Sequence, residues 1–156
     1  MNEYKESLNI LSKLFSKDCQ FSLATTAGNV PSVRIVDTFY EDACFYVVTY
    51  SSSKKIKEIE HNKNVALCNK LNSFSGLAYN IGHPKKAENT HIREKLTYVF
   101  RNWYFKHNDE NDPLMCYMRI ELLRGFFYCE GLGYKLDFQE KHAKIFPFNF
   151  NPVILP

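Results

Sequence analysis

Apolar and polar residues alternate along several short stretches of the chain, and these stretches are rich in β-branched and aromatic side chains. This pattern predicts half-buried strands, because successive side chains of a strand point to opposite faces of a sheet. The stretches are residues 19–26, 30–40, 44–50, 65–71, 74–82, 114–122, 126–129 and 134–138. Short turns join the first three stretches, which indicates an antiparallel meander.

Apolar residues recur at helical spacing in three other segments. Residues 3–17 and 54–61 each carry one apolar stripe, and residues 85–107 form the longest helical pattern, with Trp103 in register with Leu96. Six or seven strands, three helices and mostly short connections predict a mainly β (α+β) fold. The expected architecture is an antiparallel barrel with helices across its openings.

Composition limits the possible classes of protein. A chain of 156 residues is expected to form one domain, residues 1–156. The net charge of +3 is too small to argue for nucleic acid, and no apolar run approaches the ~20 residues of a membrane span. The N-terminus does not resemble a signal peptide, and the five cysteines form no CxxC pair, so a cytoplasmic protein with reduced thiols is expected.

The end of the chain, residues 145–156, is apolar and rich in proline. Exposed apolar tails are unusual, so this segment is expected to pack on the body of the protein or on a second subunit.

The segment from Cys44 to His61 joins a predicted strand to a predicted helix through three serines. Lys54 and Lys55 then fall in the first helical turn, where the helix dipole disfavours cations. A bound anion would remove this conflict, because backbone N–H groups, serine hydroxyls and two ammonium groups would converge on a phosphate or carboxylate. A solvated, lysine-rich helix start explains the same residues equally well.

Arg34 lies in the middle of an apolar predicted strand. Strands joined by short turns are neighbours, so Arg34 can lie beside Val48 and Thr49, close to the serine turn. It is then either a solvent-facing residue of the sheet or an arginine beside a bound anion or a hydrogen-bonding ring. The five histidines lie far apart and show no metal-ligand spacing, so no metal site is predicted.

Three blocks of the chain together resemble the pyridoxamine 5'-phosphate oxidase-like superfamily, the FMN-binding split β-barrels. Residues 21–68 resemble its signature: an Ala-Thr strand, a Gly turn, an Arg-bearing strand, a Ser/Arg/Lys turn and a helix running into Val-Ala-Leu. Residues 75–82 match the following strand. Residues 103–128 resemble the tryptophan, Asp-Pro turn and final strand pair of general-stress-protein-like members.

The resemblance implies an antiparallel six- to seven-stranded split β-barrel with flanking helices, which binds FMN at a homodimer interface. The flavin ring is expected along the Arg-bearing strand and the phosphate at the Ser-Lys-Lys turn. By position, the implied FMN-binding residues are Arg34, Ile35, Val36 and Asp37 at the ring, Val48 and Thr49 at the ring and ribityl chain, Ser53, Lys54 and Lys55 at the phosphate, and Trp103 from the other subunit. Trp103 has an alternative interpretation as a core residue of its own helix.

Two departures from the family pattern bear on function. Lys54 stands where the family usually has arginine, and a lysine cannot make the bidentate fork, so weaker FMN binding is one expected consequence. Phe39 stands where true pyridoxamine 5'-phosphate oxidases have a lysine, and no arginine follows Arg124. Pyridoxamine phosphate is therefore not the expected substrate.

Three functions remain open at this point. The first is a homodimeric FMN-dependent oxidoreductase that acts on an unidentified small molecule, with Arg34 favouring electron-rich flavin states. The second is a non-catalytic sensor or carrier that holds flavin or haem in the same barrel. The third is a nucleic-acid-binding barrel that uses aromatic residues and lysines, against which the modest net charge argues. The catalytic residues, the substrate and the electron donor do not follow from the sequence.

Overall fold

The computed structural model describes residues 2–149, and eight strands and four α-helices lie within them. The strands are β1 Cys19–Ala27, β2 Val30–Glu41, β3 Cys44–Tyr50, β4 Asn64–Asn69, β5 Asn72–Gly82, β6 Met115–Cys129, β7 Leu132–Asp137 and β8 His142–Pro147. The helices are α1 Glu3–Phe15, α2 Lys54–His61, α3 Thr90–Val99 and α4 Tyr104–His107, with a short 3₁₀ helix before α3 at Ala87–Asn89. None of these helices is long and apolar enough to cross a bilayer.

Six strands close into an antiparallel barrel in the order β1, β2, β3, β6, β5, β4. The pairing of β3 with β6, from Cys44 opposite Glu121 to Tyr50 opposite Met115, completes the closure. Strand β6 is 15 residues long, and its second half leaves the barrel to pair with β7, which pairs with β8. The predicted split β-barrel with flanking helices is therefore confirmed, and β7 and β8 extend one of its walls.

The barrel wall is open between β2 and β3. Strand β2 pairs with β1 along its whole length, but it pairs with β3 only from Phe39 to Glu41. Residues 30–38 therefore diverge from β3, and Arg34 lies on this diverging part. Helix α2 follows directly from the end of β3, so it begins beside this opening.

Inward-facing residues of the strands form an apolar core inside the barrel, as their alternation predicts. Phe45 lies at its centre, with ring centroids of four other aromatic residues within 6.0 Å. These four are Phe15, Phe21, Tyr40 and Phe74. Ile56 and Ile59 of α2 are buried in the same core, which fixes this helix against the barrel.

A second apolar cluster lies on the outer face of β3 and β6, beneath α3 and α4. Its fully buried members include Leu96, Phe100, Tyr104 and Tyr117. This set of residues, called the outer cluster below, anchors α3 and α4 to the barrel wall.

The structure corrects three predictions of the sequence pattern. The helix predicted over residues 85–107 is broken into a 3₁₀ turn, α3 and α4, because the chain turns after Phe100 so that Leu96 and Tyr104 both enter the outer cluster. The two strands predicted at 114–122 and 126–129 are one strand, β6, since it continues from barrel to extension without a break.

The third correction is β8, which the pattern did not predict as a strand. Its residues pair with β7. Ala143 is buried, and its neighbours His142 and Lys144 are exposed. The predicted packing of the apolar tail concerns residues 145–156, and residues 150–156 lie outside the described part of the chain.

Candidate functional site: a cationic pocket at the start of helix α2

Helix α2 begins at the open part of the barrel wall, with Ser53 as its N-cap residue. The side chain of Ser53 makes no capping hydrogen bond; its hydroxyl lies 3.3 Å from that of Thr49. The first turn contains no acidic residue. The first N–H groups of a helix have no acceptor within the helix, so those of α2 are available to an external anion.

Lys55 and Arg34 are near enough at this helix start for their charges to interact. Burial, and then the charge of Arg34, lower the pKa of the Lys55 ammonium. Arg34 is held in place by two hydrogen bonds from its Nη1, to the carbonyl of Leu23 at 3.2 Å and to the hydroxyl of Thr25 at 2.6 Å. Two cations in this arrangement repel each other, and an anion between them would remove the repulsion.

Glu58 is a buried carboxylate that supports this cationic pair. It accepts hydrogen bonds from Thr25 at 2.6 Å and from Ser32 at 3.1 Å, and the Nζ of Lys54 lies 3.7 Å away. The Thr25 hydrogen bond is the main reason why the pKa of Glu58 is lowered, and the neighbouring cations add to the effect. Because Thr25 also accepts from Arg34, one hydroxyl joins the arginine to the carboxylate.

The sequence did not predict Glu58 as a site residue. Glu58 lies four residues after Lys54, a spacing typical of a solvent-exposed ion pair on one helix face. A signal was available in the hairpin of β1 and β2. Its register places Thr25 opposite Ser32, which brings two hydroxyls to one inward face. Buried hydroxyl groups need hydrogen-bond partners, and both of these hydroxyls donate to the carboxylate of Glu58.

Of the residues predicted to bind FMN, the structure brings together Arg34, Thr49, Ser53, Lys54 and Lys55. The others point elsewhere. Val36 is buried in the barrel core, whereas Ile35 and Asp37 lie on the outer face of β2. The side chain of Val48 packs in the outer cluster, on the opposite face of β3 from Thr49.

Trp103 lies at the margin of the outer cluster. Its ring stacks on Phe100 at 4.5 Å, and its Nε1 donates to the Asp18 carboxylate at 2.7 Å. Asp18 neighbours Asp37, and burial together with the Asp18 charge raises the pKa of Asp37. Within one chain Trp103 therefore contacts the outer cluster and Asp18. Its approach to a flavin of another subunit stays a prediction.

Several features of the described residues limit the chemistry of the site. Across residues 2–149, no group of three or more His, Cys, Asp or Glu side chains is placed to hold a metal ion. Cys116 lies near Lys55 and Ser51, but burial raises the pKa of its thiol, so it is not an activated nucleophile. The cations and the free N–H groups at the start of α2 are of the kind that could hold an anion.

Solved structures share this fold. A protein from Clostridium acetobutylicum, related to general stress protein 26 and described as of the pyridoxinephosphate oxidase family, matches with a TM-score of 0.60. The match covers 91% of this chain and 100% of that chain at 14% identity. The fold is thus the split β-barrel of the pyridoxamine 5'-phosphate oxidase-like proteins. No protein-family model matches the sequence, and no curated protein matches it.

Two other structures with this fold are named for the cofactors that they bind. An FAD-binding protein from Mesorhizobium loti matches with a TM-score of 0.59 at 16% identity, over 76% of this chain and 91% of that chain. A haem-binding protein from Mycobacterium smegmatis matches with a TM-score of 0.62 at 11% identity, over 88% of this chain and 58% of that chain. The fold is therefore one on which both flavin and haem are bound.

Proposed function

We propose that the protein is an FMN-binding oxidoreductase that acts as a homodimer on a small molecule, with the FMN phosphate at the start of α2. The observation that supports this most directly is the pairing of Arg34 with half-buried Lys55 beside an uncapped helix N-terminus. Each of these features favours an anion, and all of them lie at the start of α2.

The charge of the pocket matches a phosphate monoester. Arg34, Lys54 and Lys55 contribute three positive charges, and the carboxylate of Glu58 offsets one of them. A phosphate monoester carries a charge of about −1.5 to −2 at neutral pH, which balances the remainder. Riboflavin lacks this group, so the pocket is expected to distinguish the two flavins.

Each residue then has a defined role. The N–H groups of α2 and the hydroxyl of Ser53 supply hydrogen-bond donors, and Lys55 supplies a partly desolvated charge. Glu58 acts through Thr25, which orients the guanidinium of Arg34. Bound FMN would supply the hydride or electron chemistry, while the barrel positions it.

The first test is an FMN titration followed by absorbance and fluorescence, with riboflavin as a parallel ligand. Lys55→Gln is expected to weaken FMN binding by about 10- to 100-fold, the equivalent of one charge-assisted hydrogen bond, and to leave riboflavin binding unchanged. Lys57→Gln, an exposed lysine of the same helix, is the matched control and should bind FMN normally. Absence of saturable FMN uptake by the wild-type protein would refute the proposal.

The proposed homodimer is supported by exposed apolar residues on β2. Val30, Val33 and Ile35 are 67%, 70% and 62% exposed. A second copy covering this strand would remove them from water. Sedimentation velocity of Ile35→Lys should show dissociation. Phe105→Lys, which changes a residue with the same 62% exposure on α4, should not.

The second candidate is a non-catalytic carrier or sensor that holds flavin or haem. The haem-binding protein of the same fold supports it. Bound flavin that is not reduced by NADH or NADPH, with or without candidate acceptors, would favour this function over the oxidoreductase.

A further inference from the structure

A second concave surface lies on the outer face of the sheet, on the opposite side of β1 and β2 from the α2 pocket. This surface, called the outer groove below, has a volume of about 1000 Å³ and runs from the barrel wall to the extension formed by β7 and β8. Such a volume is at the upper end of small-molecule sites. Its barrel side includes Ala24 and Ala66, and Phe126 adds an aromatic ring from β6. Val33 of β2 lies at the edge of the groove and is shared with the face that the proposed homodimer covers.

The extension side of the outer groove is cationic. Lys135 on β7 and Lys144 on β8 are directly opposite each other in the strand pairing, and both are exposed. Within residues 2–149 neither lysine forms an ion pair. Like charges directly opposite on neighbouring strands destabilise a sheet, so this pair is costly unless an anion lies between them.

The other charged residues of the outer groove do not neutralise the two lysines. Asp137 is 3.5 Å from Arg124 through its Oδ2, and its Oδ1 accepts from the backbone N–H groups of Gln139 and Glu140. These backbone hydrogen bonds, and then Arg124, lower the pKa of Asp137. The groove therefore combines one satisfied ion pair, two unpaired cations and an apolar floor. His142 also lines it, opposite Asp137.

We propose that the outer groove binds a small organic anion with a flat apolar body, such as an aromatic carboxylate or sulfonate. The acid group lies between Lys135 and Lys144, and the apolar body lies on the floor beside Phe126 and Ala66. Within one chain this site lies on the opposite face of β1 from the proposed flavin pocket. On β1, for example, Ala24 faces the outer groove, whereas Thr25 faces Glu58.

The test uses 8-anilinonaphthalene-1-sulfonate, an aromatic sulfonate that fluoresces in apolar surroundings, and the uncharged N-phenyl-1-naphthylamine as its neutral counterpart. The double variant Lys135→Gln with Lys144→Gln is expected to weaken sulfonate binding about tenfold, while binding of the neutral dye stays the same. A control with the same change of net charge, Lys5→Gln with Lys106→Gln, should bind both dyes as the wild type does. Equal sulfonate affinity in the wild type and the lysine double variant would overturn the proposal.

A second variant tests the floor without changing charge. Ala66→Phe places a large side chain on an exposed strand position that tolerates aromatic residues, so the fold should persist in circular dichroism. It is expected to abolish sulfonate binding at one site per chain. If Ala66→Phe instead dissociates a dimer and dye binding rises, the groove is a subunit interface and the proposal is wrong.

Saturating FMN separates this proposal from the flavin proposal. Sulfonate affinity should be the same with and without FMN, and Lys55→Gln should not affect it. Displacement of the dye by FMN would show that the groove belongs to the flavin site, which would overturn an independent anion site.

Discussion

The barrel core and the outer cluster are both buried, but different interactions hold them together. In the barrel core the rings of Phe21, Phe45 and Phe74 meet one another at centroid distances of 4.9–6.1 Å. These rings meet tilted or edge to face, as aromatic pairs prefer, but this preference is weaker than the geometric requirement of a hydrogen bond.

The outer cluster is built around a polar network. The hydroxyls of Tyr104 and Tyr117 are 2.5 Å apart, and Tyr104 also donates to Glu110 at 3.0 Å. Arg93 donates to both oxygens of Glu110, from Nε and from Nη2. Hydrogen bonds have strict geometry, so this network sets the position of α3 and α4, and with them Trp103. The barrel core therefore mainly provides stability, whereas the polar network of the outer cluster mainly orients α3 and α4.

The largest expected effect comes from the barrel core. Phe45→Ala removes a ring that contacts four aromatic neighbours and should lower the free energy of unfolding by about 3–5 kcal/mol. Urea unfolding at several pH values measures this loss, and the loss should not depend on pH. Phe45→Leu, which keeps more volume, should cost less; an equal cost would mean that ring shape, and not volume, decides.

The outer cluster should instead show pH-dependent stability. Arg93 first, and then the hydroxyl of Tyr104, hold the pKa of Glu110 below its ordinary value of 4.5. The ionised carboxylate therefore stabilises the fold above that value, and the contribution is lost as the pH falls through the lowered folded pKa. At neutral pH, Glu110→Gln should cost about 2–3 kcal/mol, a discounted value because the side chain of Arg93 is 36% exposed.

The free energies of unfolding of Glu110→Gln and the wild type, measured with urea, should become equal in acid. Tyr117→Phe is the control within the same network: it removes one neutral hydrogen bond, costs about 1 kcal/mol, and should show no such convergence. If the loss of unfolding free energy in Glu110→Gln did not depend on pH, the charge of the carboxylate would not contribute to stability.

The smallest expected effect is a gain in stability from a substitution at the margin of the outer cluster. Burial and the Asp18 charge raise the pKa of Asp37, so its ionised form costs stability above the folded pKa, and this cost disappears as the pH falls below 3.8. Asp37→Asn should therefore raise the melting temperature at neutral pH, by an amount that vanishes in acid. Asp18→Asn should show no net gain, because it also weakens the hydrogen bond from Trp103. A lower melting temperature for Asp37→Asn would contradict this account.

The strand pattern and the cationic turn could be predicted from the sequence because they are local. Alternation predicted β1 to β5, and Ser53 followed by Lys54 and Lys55 indicated an anion-binding helix start. The strand count and the short connections also favoured an antiparallel barrel, but no local pattern shows that β3 pairs with β6.

The parts that could not be predicted depend on residues far apart in the chain. Glu58 gains its role only when β1 and β2 place Thr25 and Ser32 beside α2. The break between α3 and α4 follows from burial of Phe100 and Tyr104 against one surface, which overrides the helical spacing of the sequence. The outer groove likewise exists only because β6 continues out of the barrel.

The pairing of β3 with β6 also has a kinetic consequence. Contacts between distant segments form slowly, because the intervening chain must lose entropy before they contribute stability. During synthesis β3 and α2 leave the ribosome well before β6, and until Met115 and the residues after it arrive, one edge of β3 has no partner. The backbone N–H of Ser51 likewise has no acceptor until the carbonyl of Leu114 is in place. The residues of the cationic site all precede β6 in the chain, but the strand and turn that lead into α2 gain these partners only when β6 pairs with β3. A ligand of the site is therefore expected to stabilise the finished barrel more than the early chain.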